Sequence, residues 1–225
     1  RASSFRMTSI ALFRKDLASE LRTRYAINSL LMFIIVTISV ILFSIGNEKI
    51  SDYLSGGLFW VVVFFTAMSG LARAFVSEEE RGTSLLLQLI ASPATVFSGK
   101  LIFNLVLVFS MNVVIANLYT ALFDAFVIKN LLLFSTAFLF GSIGIAISST
   151  VIAAIIAKAG SKGTLYPVLS FPILLPLILI LIELTKMSMD GTAFEEGYIE
   201  VAVLICYDVI MISASYLLFD FIWKD

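Results

Sequence analysis

Apolar residues arrive in six long blocks separated by short polar breaks. The blocks lie at about 27–46, 56–76, 98–120, 131–156, 165–183 and 199–219. Each is close to the ~20 apolar residues that a helix needs to cross the hydrocarbon core of a bilayer. The pattern predicts an all-α polytopic membrane protein with six transmembrane helices. Two shorter stretches carry helical periodicity outside the blocks. Residues 9–24, SIALFRKDLASELRTR, place Ile10, Phe13, Leu17 and Leu21 along one face, with Ser9 as candidate cap. The remaining face is basic through Arg14, Lys15, Arg22 and Arg24. Such a helix suits an anionic inner membrane surface, and an N-terminal amphipathic interfacial helix is expected. The plainer alternative is a solvated helix docked on its own protein.

The second stretch, 77–93, interrupts the hydrophobicity between spans two and three. Glu78, Glu79 and Glu80 open it, where acidic side chains meet the positive end of a helix dipole. Leu85, Leu86, Leu89 and Ile90 then form an apolar face, and Pro93 marks an end or a sharp turn. The spacing predicts a short amphipathic cytoplasmic helix, either a solvated surface segment or a docking element for a partner. Arg81 has two readings, an ion pair with Glu78 at i,i+3 or a contact to that partner. Gly82 suits a tight turn or a close backbone approach.

Inside the blocks, polar and helix-breaking residues are few. Trp60 and Tyr53 are expected at the headgroup level near the outer end of span two. Gly141, Ser142 and Gly144 form a small-residue patch that allows close helix packing in span four, a segment read as a full crossing or a tilted, partly re-entrant one. Pro172 and Pro176 remove two backbone donors from span five, giving either a fixed kink or a bend that moves in a working cycle. Asp208 falls near the middle of span six, where a carboxylate must face the bundle or find a partner. Tyr207 and Ser213 are candidates for that partner. Asn104, Asn112 and Asn117 in span three are read as interhelical hydrogen-bonding groups or as the lining of a polar path. Glu183, Glu195, Glu196 and Glu200 form an acidic outer rim.

Composition sharpens the membrane reading. Of 225 residues, 60% are hydrophobic and 14% charged, too little polar surface to cover a water-soluble domain of this length. Basic residues fall on one side of the six-span arrangement. Arg1, Arg6, Arg14, Lys15, Arg22, Arg24, Arg73, Arg81, Lys100, Lys158, Lys162 and Lys224 share a side, against Lys49, Lys129 and Lys186 on the other. Twelve against three favours both termini in the cytoplasm. The formal net charge of −1 offers nothing to nucleic acid. Without histidine, Ser-His and Cys-His triads are excluded and metal or haem ligation loses its commonest ligand. The single cysteine, Cys206, allows no disulfide within one chain. No P-loop motif is present, so ATP-driven work requires a separate subunit. No catalytic residue, metal site or cofactor is expected, and an intramembrane enzyme is the weakest class.

The run LFWVVVFFTAMSGLARAFVSEEERGTSLLLQLIASPATVFSGK is similar to the signature region of the cytochrome c maturation protein B family, the haem exporter permease subunit. The matching residues are Trp60, Glu78, Glu80, Arg81, Gly82, Thr83, Leu86, Leu87, Ser92, Pro93, Gly99 and Lys100. The stretch FRKDLASELRTR resembles that family's opening, and Pro167, Pro172 and Pro176 fall in its proline-interrupted fifth helix. The resemblance implies a non-catalytic permease-type subunit in a bacterial cytoplasmic (inner) membrane. It implies a partner ATPase, cytochrome c maturation protein A, together with the haem-handling membrane protein C, the small protein D and the haem chaperone protein E. ATP would drive release of the haem-loaded chaperone. The residues expected to meet the ATPase are Arg14, Glu78, Glu79, Glu80, Arg81, Gly82, Thr83, Leu86, Ser92 and Pro93. Asn112, Pro172, Pro176 and Asp208 are the intramembrane candidates. The rival expectation is the permease half of another type-2 ABC exporter, moving a lipid, drug or glycan.

Overall fold

A computed structural model describes residues 8–46, 48, 50–71, 75, 82, 84–158 and 166–224. Six helices in it are long and apolar enough to span a membrane. The first helix, α1 (Ser9–Thr23), precedes them and is capped by Thr8, whose Oγ1 accepts from Ala11 N, rather than by Ser9. The first two spans are α2 (Tyr25–Ile45) and α3 (Asp52–Leu71). A short helix, α4 (Ser84–Ile90), leads into the third span, α5 (Pro93–Leu122). Spans four to six are α6 (Leu131–Lys158), α7 (Tyr166–Asp190) and α8 (Tyr198–Lys224), with a 3₁₀ turn at Phe194–Gly197.

The bundle is built around α6. Its residues are buried without interruption from Gly144 to Ala154, on all sides of the helix, and it packs against α3, α5, α7 and α8. It runs as one unbroken helix, so the re-entrant alternative is not what this segment adopts. The small-residue patch explains the close packing. A Cβ at Gly141 would lie 2.8 Å from Leu181 Cδ2 and 3.1 Å from the Trp60 ring, and one at Gly144 would lie 2.9 Å from Leu177. By contrast, α2 buries only Leu30, Ile34 and Ile38, one seam at helical spacing laid against α3. Its exposed Met32, Ile35, Val36, Val40 and Phe43 are what a lipid-facing helix presents.

The fifth span runs on through residues whose polarity suggests a loop. Leu184 and Met189 are buried in the bundle, and Thr185 Oγ1 accepts from the Trp60 indole at 2.7 Å. Packing therefore extends the helix to Asp190. Trp60 is accordingly a fully buried core residue, not a headgroup anchor. Tyr53 does remain exposed, with Lys186 Nζ 5.2 Å from its ring centroid. This end of the bundle is tied tightly. Trp60, Tyr119, Phe126 and Phe134 cluster around Phe59, and Tyr119 OH donates to Ser55 O. Asn130 caps α6 with Oδ1 and donates to Thr192 O, while Ser188 Oγ donates to Asn130 O.

Candidate functional site

The other end of the bundle carries α1, α4, the first turns of α5 and the last turn of α8. Ser92 and Pro93 set its geometry. Ser92 Oγ accepts from Thr95 N, and Pro93 takes the first helical position, where its missing N–H costs nothing. Pro93 thus starts span three rather than ending the preceding stretch, and the helix begins five residues before the apolar block at 98. Two turns on, Gly99 and Lys100 hold α1. A Cβ at Gly99 would lie 2.7 Å from Leu12 Cβ and 3.0 Å from Ser9 O, so glycine permits the close crossing. Beside it Lys100 is 3% exposed, and its Nζ lies 2.9 Å from Asp16 Oδ2. Lys100 also stands 5.8 Å over the Phe75 ring.

The docked face of α1 is therefore Ser9, Leu12 and Asp16, with Leu12 fully buried. The apolar stripe foreseen along Ile10, Phe13, Leu17 and Leu21 is a different face, on which Ile10 and Leu21 are exposed. Arg14 is exposed on α1 as well. The corner into α2 is fixed at Arg24, which has the left-handed φ of 52° and donates its N–H to Glu20 O. Glu20 Oε1 then accepts from Ile27 N at 3.0 Å.

A continuous aromatic cluster joins α5 to the end of α8. Phe75 and Phe97 both pack on Phe219, which stacks on Trp223 with centroids 5.4 Å apart. Phe97 also meets Tyr216 edge-on, and Tyr216 OH bonds Ser98 Oγ at 2.6 Å. Gln88 on α4 donates from Nε2 to Trp223 O at 2.8 Å. The short helix is thus fastened to the terminus of the last span. Its apolar residues divide between two sides: Leu87 is 4% exposed, whereas Leu86 is 57% and Leu89 85% exposed. Leu86 and Leu89 form an outward apolar pair, while Leu87, unmarked by the face pattern, is the residue that anchors.

Of the remaining residues expected to meet an ATPase, Glu78, Glu79, Glu80, Arg81 and Thr83 lie outside the described residues, as does the Arg81–Glu78 pair. Gly82 adopts φ +64° with nothing within 4 Å of the place its Cβ would take. Its backbone conformation, not crowding from this chain, is what calls for glycine.

The intramembrane candidates fall into separate groups. Asn112 Nδ2 donates to Ser142 Oγ at 2.9 Å, and Asn104 Nδ2 donates to Thr150 Oγ1 at 2.8 Å. These are two rungs of one antiparallel register, eight residues up α5 and eight down α6, about 12 Å apart along the helices. Asn117 takes no part and donates to Val113 O on its own helix. Pro172 and Pro176 both lie inside α7 with exposed side chains. Close by, Tyr207 OH donates to Ile173 O at 2.9 Å and stands 3.0 Å from Ser148 Oγ. Asp208 is 7% exposed and bonds to neither foreseen partner, since Ser213 Oγ donates to Val209 O. Among the described residues there is no cluster of three or more His, Cys, Asp or Glu suited to a metal.

Sequence reasoning missed the Lys100–Asp16 clamp and the Gln88–Trp223 tie. Gly99 and Lys100 stood in the family-like run, but Asp16 lies 84 positions away and no local pattern links them. At this end two short helices are held against the first turns of one span and the last turn of another. A family model described as CcmB protein matches residues 7–218. No curated protein matches the chain.

Proposed function

This chain belongs to the CcmB protein family, a haem-exporter permease component of c-type cytochrome maturation, and on that footing we propose that it couples a separate ATPase to its complex. The observation that carries the proposal is the junction of α1, α4, α5 and α8. Leu86 and Leu89 offer an apolar contact on a helix otherwise fastened inward through Leu87 and Gln88. The ATPase, cytochrome c maturation protein A, docks on the 77–93 segment, through Glu78, Glu79, Glu80, Arg81, Gly82 and Thr83 together with the leucine pair. Ser92 and Pro93 serve this contact indirectly, by setting where α5 begins. Arg14 supplies a second contact from α1.

Load applied at α4 reaches Trp223 through Gln88, and α1 through Lys100 and Asp16. The opposite end, tied by its aromatic cluster and Asn130, answers as a unit. The subunit itself is non-catalytic. Its complex includes the haem-handling protein C and the small protein D, and its work is release of the haem-loaded chaperone, protein E. The protein lies in the bacterial inner membrane with both termini in the cytoplasm, supported by the twelve-to-three basic asymmetry. There the exposed Ile10 and Leu21 of α1 enter the headgroup boundary, flanked by Arg14, Lys15 and Arg22.

Deletion of the gene tests the assignment. Loss of c-type cytochromes, restored by the intact chain, is expected. Normal c-type cytochromes with defective lipid, drug or glycan export would move the chain to another type-2 ABC exporter.

A further inference from the structure

Asp208 lies where α8 crosses α6 and α7. It is 7% exposed, and both carboxyl oxygens are buried without a hydrogen-bond partner. The carboxyl rests on the backbone of α6: a Cβ built on Gly144 would lie 2.6 Å from Asp208 Oδ1. The same Cβ would lie 2.9 Å from Leu177 Cδ2 on α7, so the third wall is aliphatic. A carboxylate in such a place needs a cation, and among the described residues none is paired with it. Residues 131–157 of α6 and 167–182 of α7 contain no Asp, Glu, Lys or Arg. Residues 101–122 of α5, which also packs on α8, contain none either. The buried Lys100 is engaged with Asp16 at the end of the bundle. Tyr207, the preceding residue, directs its hydroxyl at Ile173 O and Ser148 Oγ rather than at the carboxyl.

We propose that Asp208 is a proton-binding site built into the crossing of α6, α7 and α8, where the bound proton allows the carboxyl to lie on Gly144 as the neutral acid. One proton joins one carboxylate, and nothing else is consumed. An ionised carboxyl here would be a buried, unpaired charge, a strongly unfavourable state in a bundle interior. The proton is therefore part of the packing. A helix crossing that closes over Gly144 carries it, and any separation that brings water to Asp208 lets it leave. The site does not depend on the coupling role proposed above.

Infrared spectroscopy of the full-length chain with its associated subunits, in lipid nanodiscs at neutral pH, tests the site directly. Exposed carboxyls are then ionised, and a neutral-acid carbonyl band is expected to remain. Biosynthetic labelling of this chain with side-chain-carboxyl-¹³C aspartate should shift that band in the unaltered protein, which identifies the acid as an aspartate of this chain without a variant that might misfold. Asp208→Asn, which keeps the shape of the side chain, should abolish it. An aspartate label that shifts only carboxylate bands would overturn the proposal, as would a label-sensitive neutral-acid band that survives undiminished in Asp208→Asn.

Discussion

Lys100 and Asp16 are a nearly dry ion pair, 3% and 10% exposed, and their energetics are asymmetric. Joining the two recovers little beyond the cost of removing both from water, whereas removing one strands the other. Lys100→Met should therefore destabilise the protein by about 3–5 kcal/mol, and Lys100→Met with Asp16→Leu should recover most of that loss. Thermal unfolding of the purified variants measures both. A double variant no better than the single would mean that the loss does not come from a stranded Asp16. Such residue-level facts were only half legible in the sequence. Asn104, Asn112 and Asp208 announce themselves as polar groups in apolar runs. Their partners do not, because Thr150, Ser142 and Gly144 are supplied by another helix whose register is set by packing. Trp60 was misplaced for the same reason: the preference of tryptophan for headgroups is outweighed when Thr185 offers its indole a buried acceptor.

At the scale of elements, the sequence is read most reliably where lipid imposes length. All six blocks become helices, since a chain in hydrocarbon must satisfy its own backbone. Boundaries shift where side-chain detail prevails over hydropathy. α5 starts early because Ser92 and Pro93 form a complete start signal, and α7 ends late because Leu184 and Met189 are buried. The short helix α4 shows the limit of periodicity over so few residues. Its leucines crowd together in sequence, and burial of Leu87 together with the tie from Gln88 to Trp223 sets Leu87 inward while Leu86 and Leu89 point away. That division yields a test. Leu86→Asp with Leu89→Asp should leave expression and thermal stability nearly unchanged, because surface substitutions cost about 0.5 kcal/mol or less. The same pair should abolish capture of the ATPase subunit in a pull-down. Leu87→Asp should instead destabilise the protein itself. Retained capture by the double variant would remove the leucine pair from the contact.

For the whole molecule, the two ends of the bundle differ in construction. One is knotted by aromatic rings and by Asn130, Ser188 and Thr192. The other has an aromatic cluster of its own between α5 and α8, but it also holds two short helices by a few specific contacts, with exposed apolar side chains beside them. The proposed coupling uses this contrast, a contact end open to a partner and a far end tied within the bundle. Coupling to a separate ATPase is the central claim, and charge reversal within the signature segment probes it most directly. In Glu80→Lys with Arg81→Glu, the ATPase subunit should no longer co-purify, and ATP hydrolysis by the reconstituted complex should fall to the level of the ATPase alone. Undiminished co-purification together with fully stimulated ATP hydrolysis would contradict the coupling role of this segment.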